Sequence, residues 1–423
     1  MPSPQGGSFG ALRIPDFRLL FAGTFGSFTA FFMSTVVQSV VAFELTGTNT
    51  AVGSAVFGQG LGMVLFGPLG GAYADRLPKR RVIAIGQTLS ALSLGSLGWL
   101  YADGSIRLVH LVVSSFVLGS AFGFIGPARQ ALVVDLVPVA MRGNAMTLSN
   151  VANTMSRVLG PFLAGVLLAA EELGAAAAYA TMGDCYLGSA DILLAVPISL
   201  VREGAGEDHV MADLREGLRY AWTQVHLRHL LIFVVGVMLI GVPHVTLVPG
   251  LLENELGRPA EDVTQIALCS AIGAFLMSVN LARFADGPQA TRIYSWMAIG
   301  FGVTLCLLAW VPDFALALAA IVLVGASSGG FHALNGAVIA RETEEVYMGR
   351  VMSLTMMAFA GFSLTALPLG FAADLVGERP VLFGMGLGVL ALSSIMTLRV
   401  ARDTRAQPLA EPVEPAHGMP PGG

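Results

Sequence analysis

Charge is scarce in this chain. Of its 423 residues only 12% are Asp, Glu, Lys or Arg, whereas 55% are hydrophobic. Soluble domains carry about 25% charged residues, so this sequence has too little charge to cover a folded domain with a polar surface. The scarcity excludes an ordinary water-soluble domain and indicates that lipid is the solvent. The net charge of −5 is small and spread along the chain, which gives no footprint for nucleic acid.

Residues that carry enzyme or metal chemistry are scarce as well. The three cysteines, Cys185, Cys269 and Cys306, lie in apolar segments, as small buried hydrophobic residues do, so we expect no disulfide and no metal site. The sequence has no Gly-x-x-x-x-Gly-Lys-Ser/Thr loop, which leaves an ion gradient as the expected energy source. Gly325-Ala-Ser-Ser-Gly329 fits the nucleophile elbow of serine hydrolases, but no strand precedes it. We interpret it as a small-residue packing surface, like Gly384-x-x-x-Gly388. We expect neither an enzyme nor a cofactor.

Long apolar segments are what the chain has instead. About 20 consecutive apolar residues cross roughly 30 Å of hydrocarbon. Twelve segments meet this length, at about 18–44, 50–74, 82–102, 108–136, 142–170, 176–201, 228–252, 262–284, 291–312, 314–340, 350–376 and 379–400. The sequence therefore predicts an all-α membrane protein with twelve transmembrane helices.

The basic residues predict the orientation of these spans, because Lys and Arg avoid the translocated side of a membrane. With the amino terminus placed inside, 18 of the 23 basic residues fall in cytoplasmic stretches. Only Arg107, Arg258 and Arg379 fall in external loops, and Arg129 and Arg157 lie within spans. We expect a multi-pass protein of the cytoplasmic (inner) membrane with both termini in the cytoplasm.

The chain also divides into two halves. A cytoplasmic segment at 1–17 precedes six spans at 18–201, a linker at 202–227 leads to six more at 228–400, and a disordered cytoplasmic tail follows at 401–423. Within the linker, Leu214, Leu218 and Trp222 recur every four residues, which predicts an amphipathic helix on the membrane surface.

A sequence repeat relates the two halves. Arg142-Gly-Asn-Ala-Met-Thr-Leu148 parallels Met348-Gly-Arg-Val-Met-Ser-Leu354 at an offset of 206 residues, close to half the chain. The repeat predicts two pseudo-symmetric six-helix bundles, the arrangement in which one bundle rocks against the other.

A charged motif follows the second span and contains Gly71, Asp75, Arg76, Lys79, Arg80 and Arg81. This spacing resembles the signature between spans two and three of the major facilitator superfamily, with Pro78 where the family usually has glycine. A carboxylate at the membrane edge can cap the positive end of a helix in the other half and hold the cytoplasmic gate shut. We expect Asp75 to approach residues 349–353 and Asp135 to pair with Arg76, Lys79 or Arg80. Alternatively, the motif only anchors a cytoplasmic loop.

More narrowly, the first half is similar to the branch of enterobactin exporters and macrolide-efflux proteins. The similarity covers most of residues 17–165 and rests on Glu44-Leu-Thr-Gly47, Ala74-Asp-Arg76, Pro127-Ala-Arg-Gln130, Asn144-Ala145 and Arg157-Val-Leu-Gly-Pro161. It implies a transporter that exports a drug, antibiotic or siderophore-like small molecule by alternating access. We expect a monomer among membrane lipids, with H⁺ as the coupling ion. An uptake symporter for a small metabolite shares the fold and is the alternative.

Polar residues inside the spans are candidates for the transport pathway, because such residues are costly in lipid and turn inward. A lone guanidinium such as that of Arg157 costs about 2.5 to 3.5 kcal/mol at the membrane centre. Asn153 is one turn away, and Asp184 lies at a similar depth, so an ion pair with Arg157 is possible; a structural clamp is the alternative role. The other candidates are Gln38, Asn150, His244, Asn280, His332 and Asn335.

Overall fold

The structure, a computed structural model, describes residues 10–73, 77–169, 174–196, 210–284, 287, 289–344 and 347–406. The first half contains six long helices: α1 (Pro15–Thr46), α2 (Asn49–Tyr73), α3 (Lys79–Ala102), α4 (Leu108–Leu136), α5 (Arg142–Leu168) and α6 (Gly174–Leu194). Pro15 begins α1, and Gly47 ends it in the left-handed conformation at φ 65°, with its N–H bonded to the carbonyl of Phe43.

The second half begins after the linker helix α7 (Val210–Thr223). Its helices are α8 (Val225–Gly241), the short α9 (Val248–Gly250), α10 (Val263–Ala282), α11 (Ala290–Ala309), α12 (Phe314–Arg341), α13 (Met348–Val376) and α14 (Glu378–Ala406). Ten described segments are long and apolar enough to cross a membrane, and α6 and α13 bring the number of spans to twelve. The predicted all-α fold of two six-helix bundles is confirmed.

Glycines set how closely the helices pack. Gly119 and Gly123 of α4 lie against the backbone of α2 so closely that a β-carbon would overlap it, and Gly325 and Gly329 of α12 lie in the same way against α10. The equivalent helix pairs of the two halves therefore use the same small-residue contact. One expected packing glycine differs, because Gly384 faces open space.

The seventh span is not the continuous helix that its apolar sequence predicts. After α8 the chain forms a 3-10 turn (Val242–Leu247), then α9, then a π turn (Leu251–Glu255). Pro243 has no N–H for the carbonyl of Leu239, and the hydroxyl of Thr365 in α13 donates to that carbonyl at 2.7 Å instead. The neighbouring helix thus satisfies a backbone group that lipid cannot.

The predicted linker helix is present as α7. Leu218 and Trp222 are exposed, while Gly217 and Ala221 are buried against the bundle. The ring of Tyr220 stacks on that of Tyr347 with a centroid distance of 4.0 Å, which joins α7 to the second half.

Candidate functional site

The charged motif lies at the end of the molecule where α2 ends and α3 begins, which we call the basic end. Lys79, the first residue of α3, is buried, and its Nζ lies 2.6 Å from Oδ2 of Asp135 near the end of α4. This is one of the pairings expected from the sequence. Arg80 donates to the carbonyl of Val196 at 2.7 Å, so the contacts tie α3 to α4 and to the end of α6.

Two further motif residues lie at the surface. Gly71 and Arg81 are exposed. Asp75 and Arg76 lie outside the described residues, so the approach of Asp75 to residues 349–353 stays a prediction.

The opposite end, where α2 begins and α13 ends, we call the distal end. There Asp374 of α13 accepts hydrogen bonds from the backbone N–H groups of Asn49 and Thr50, each at 2.8 Å, and from both of their side chains. Glu378 accepts from Asn49 at 2.8 Å and from Asn254 at 2.6 Å. The first N–H groups of a helix have no intrahelical partner and carry partial positive charge. Asp374 of the second half therefore caps a helix of the first half, and Glu378 accepts from the side chain of the first residue of that helix.

Backbone contact accompanies this polar contact. A β-carbon on Gly53 would overlap the backbone of Ala366, and one on Gly370 would overlap that of Asn49. Nothing larger than hydrogen fits between α2 and α13 at these points. The two halves are thus closed against each other at the distal end.

Asp374 and Glu378 were not predicted from the sequence, although a signal was present. Pro368-Leu-Gly-Phe-Ala-Ala-Asp374 repeats the pattern Pro68-Leu-Gly-Gly-Ala-Tyr-Ala-Asp75 with one residue fewer. Since α2 and α13 run antiparallel, Tyr73 at the end of α2 and Asp374 of α13 lie at opposite ends of the helix pair. The motif of the basic end therefore has a counterpart at the distal end.

Arg157 lies in the middle of α5. Its Nε donates to Oδ1 of Asn153 at 3.2 Å, and its guanidinium carbon lies 5.2 Å from the centroid of the Phe32 ring. His332 of α12, in the second half, is within electrostatic range of Arg157. The structure thus brings Arg157 and Asn153 into contact, with His332 close enough for the charge of Arg157 to act on it.

Asp184 does not join them. It is exposed on the side of α6 that turns away from the bundle, whereas Met182, Gly183 and Tyr186 face the interior. The ion pair considered between Asp184 and Arg157 is not formed.

Three further candidates are buried and form hydrogen bonds with neighbouring protein groups. Gln38 accepts from the hydroxyl of Ser115, and Asn335 accepts from that of Tyr294 at 3.0 Å. Nδ1 of His244 lies 2.8 Å from the carbonyl of Gly241. These contacts join helices or stabilise the broken seventh span.

The remaining two candidates, Asn150 and Asn280, are exposed. The side chain of Asn280 donates to the carbonyl of Leu276 in its own helix at 2.8 Å. Asn150 lies seven residues, about two turns, before Arg157 and therefore on the same face of α5. Asn150 thus extends the polar face of α5 toward the basic end.

Arg129 of α4 is the buried charge that the sequence analysis left without a role. Its Nη2 donates to Oγ of Ser27 at 2.9 Å, and its guanidinium carbon lies 4.9 Å from the centroid of the Phe28 ring. Its Nε has no hydrogen-bond partner. Two small cavities, each of about 10 Å³, lie against it.

Two six-helix halves that close against each other at one end, with polar side chains at mid-depth, define a polytopic membrane transporter. The chain matches the model of the Major Facilitator Superfamily over residues 20–361 and belongs to that superfamily.

Its relatives include proteins named for efflux. It is 23% identical to the Staphyloferrin A transporter of Staphylococcus aureus, over 84% of this chain and 89% of that protein. It is 24% identical to the multidrug efflux pump Tap of Mycolicibacterium fortuitum, over 77% of this chain and 81% of the pump. It is 22% identical to macrolide efflux protein A of Streptococcus pyogenes, over 82% of this chain and 85% of that protein.

Solved structures agree on the fold. The crystal structure of a mutant of the nucleoside transporter NupG superposes with a TM-score of 0.73 and covers 90% of this chain and 99% of that one, at 14% identity. At this low identity, the similarity shows the fold and does not indicate the substrate.

Proposed function

We propose that this protein exports a small molecule from the cytoplasm by alternating access, driven by the proton gradient. The observation that carries the proposal is the closure between Asp374 and the start of α2. In an alternating-access transporter the site opens to one side while the other side is closed. The distal end is the closed side in this structure.

The burial of α1 supports the same view. Residues 36–43, in the distal part of α1, are all buried. Phe25, Phe28, Phe31 and Phe32, nearer the basic end, are only half-buried. The distal part of α1 is therefore enclosed, and its middle is less so. If the basic end faces the cytoplasm, as the distribution of Lys and Arg predicts, this arrangement receives substrate from inside.

The names of two relatives support export over uptake. These two are named a multidrug efflux pump and a macrolide efflux protein, and the third is named a transporter of staphyloferrin A. A small, amphipathic compound of natural-product size is the substrate class that we infer for this chain.

The test is accumulation of a chemically varied compound panel in efflux-deficient bacteria with and without the protein. We expect lower accumulation of at least one compound in cells that express it, and loss of the difference when a protonophore collapses the gradient. Higher accumulation in expressing cells would instead identify an uptake symporter. No change for any compound, with the protein present in the membrane, would contradict the proposal.

The proposed orientation, with both termini and the linker in the cytoplasm, is tested by labelling single cysteines in intact cells. Thr48→Cys and Asp313→Cys should react with a membrane-impermeant maleimide added outside, and Glu207→Cys should react only after the cells are opened. The reverse pattern would overturn the orientation and the side to which the distal end faces.

A further inference from the structure

Four aromatic rings form a continuous strip through the first half, with a guanidinium at each end. The contacts run from Arg129 to Phe28 (4.9 Å), Phe28 to Phe122 (6.1 Å), Phe122 to Phe31 (4.7 Å), Phe31 to Phe32 (5.5 Å) and Phe32 to Arg157 (5.2 Å), measured to ring centroids. We call Phe28, Phe31, Phe32 and Phe122 the aromatic strip. All four side chains are half-buried rather than fully enclosed.

The strip lies at the depth at which transporters of this fold bind substrate. Phe31 and Phe32 are near the middle of α1, Phe122 is at the middle of α4, and Arg157 is near the middle of α5. Binding sites of transporters with two related halves lie near the membrane midplane, where the halves meet. Arg157 lies on α5, and α5 packs against α10 of the second half where Gly165 contacts Thr264, so one end of the strip lies on a helix that meets the second half.

The other end carries a charge that no described acid neutralises. Arg129 is only 6% exposed, its described hydrogen bond is to the neutral hydroxyl of Ser27, and it forms no ion pair with any acid in the part of the chain that the structure describes. A cavity of about 10 Å³ holds roughly one water, so the two cavities beside Arg129 supply little hydration. A buried guanidinium in this position makes the surrounding potential positive.

The described acids near the spans are engaged or lie elsewhere. Asp135 pairs with Lys79 at the basic end, Asp374 caps α2 and Glu378 accepts from Asn49 at the distal end, and Glu44, Asp184 and Asp191 are exposed. An acid beside the aromatic groups would favour a cationic ligand. The strip has guanidinium groups in those positions instead.

We propose that the aromatic strip binds an aromatic anion, with a planar ring system against Phe31 and Phe122 and its carboxylate on Arg157. Arg157 is the contacting residue because it is half-buried and lies at the meeting of the halves, and its guanidinium fork matches a carboxylate. Arg129, behind Phe28, contributes charge without contact. This inference rests on the proposed function and names its substrate class.

The test measures binding to the purified full-length protein in lipid nanodiscs by isothermal titration calorimetry. The probes are 2-naphthoate, 2-naphthamide and 2-naphthylmethylamine, which share a ring system and differ in charge. We expect the carboxylate to bind at least tenfold more tightly than the amide or the amine. Arg157→Gln should abolish this preference, whereas Arg292→Gln, a change near the start of α11 and away from the strip, should leave it unchanged.

A second variant keeps the test decisive if Arg157→Gln fails to insert. Phe122→Leu preserves both charges and should weaken 2-naphthoate at least fivefold while leaving a cycloalkane carboxylate of similar size within twofold. Tighter binding of the amine than of the carboxylate, or equal binding of all probes, would overturn the inference. Because the measurement needs no transport, it is independent of direction: export of cationic compounds without carboxylate binding would refute the anion site and leave the proposed function standing.

Discussion

The contact between Asp374 and α2 makes a quantitative prediction about closure of the distal end. Asp374→Asn preserves the shape of the side chain but replaces one acceptor oxygen with an NH₂ group. Each carboxylate oxygen accepts two hydrogen bonds in the structure, so two of the four bonds are lost. The new NH₂ group of the asparagine then faces donor groups of Asn49 or Thr50. Hydrogen bonds to charged groups contribute about 1.5 to 3 kcal/mol each.

Water offsets part of this loss because Asp374 is exposed. We therefore expect closure to weaken by about 1.5 to 3 kcal/mol in total, which is roughly a tenfold to hundredfold shift of the equilibrium toward the state open at the distal end. The variant should insert normally, since no apolar contact is removed.

The assay follows a cysteine that closure protects. Thr264 of α10 packs against Gly165 of α5 across the two halves, so Thr264→Cys in a background without Cys185, Cys269 and Cys306 reports opening. The initial rate of labelling by an impermeant maleimide added outside should rise at least tenfold in the Asp374→Asn variant, because that rate follows the open population.

Asp313 provides a matched control at the same end of the molecule. Its carboxylate caps its own helix, accepting from the N–H of Leu316 at 2.9 Å, and makes no described contact with the first half. Asp313→Asn should leave the labelling rate unchanged. An equal rate in the parent and in Asp374→Asn, with equal amounts in the membrane, would refute the reasoning, as would the same acceleration from Asp313→Asn.

Three other outcomes follow from contacts at the basic end and between helices. Gly119→Ala should lower the melting temperature in detergent, because overpacking costs typically 1 to 3 kcal/mol. Gly95 faces open space, so Gly95→Ala should leave the melting temperature unchanged. Equal melting temperatures of the two variants would show that α2 and α4 can separate freely. Asp135→Asn should destabilise more than Lys79→Met, because Lys79 is 5% exposed and Asp135 is 26% exposed, so the first change takes the ion-pair partner from the more buried charge. The opposite order in thermal denaturation would contradict the burial argument. Asp75→Asn should insert normally and lose transport, and full transport by this variant would reduce the motif to an anchor.

The architecture could be predicted because it depends on length and composition. Twelve apolar segments and the basic residues between them specify the spans, and the spacing of Leu218 and Trp222 specifies α7. The break in the seventh span could not be read in this way. Hydropathy measures transfer into lipid, and it does not report that Thr365, 126 residues after Leu239, donates to the Leu239 carbonyl in place of the N–H that Pro243 lacks.

The sequence predicted how deep the candidate residues lie in the membrane, but not the side of the helix on which each one lies. Helical rise placed Arg157 and Asp184 at similar heights, yet height does not fix the side of the helix, and Asp184 faces away from the bundle. The pair of Lys79 and Asp135 followed from charges at adjacent helix ends. Two of the four hydrogen bonds to Asp374 come from backbone N–H groups, which leave no mark in the sequence of the helix that donates them, so only the shortened repeat that ends at Asp374 pointed to this residue.

The broken seventh span has a consequence for how the protein is made. Val225–Glu255 is the most apolar of the ten candidate spans, so the insertion machinery reads it as a strong continuous segment whatever its later geometry. The break at Pro243 uses a hydrogen-bond donor that is synthesised more than a hundred residues later, since the hydroxyl that bonds the Leu239 carbonyl belongs to α13. Integration of this segment into the bilayer and completion of its hydrogen bonds are therefore separate events during biogenesis. We expect a change at Thr365 to leave the earlier event intact and to affect only the later one.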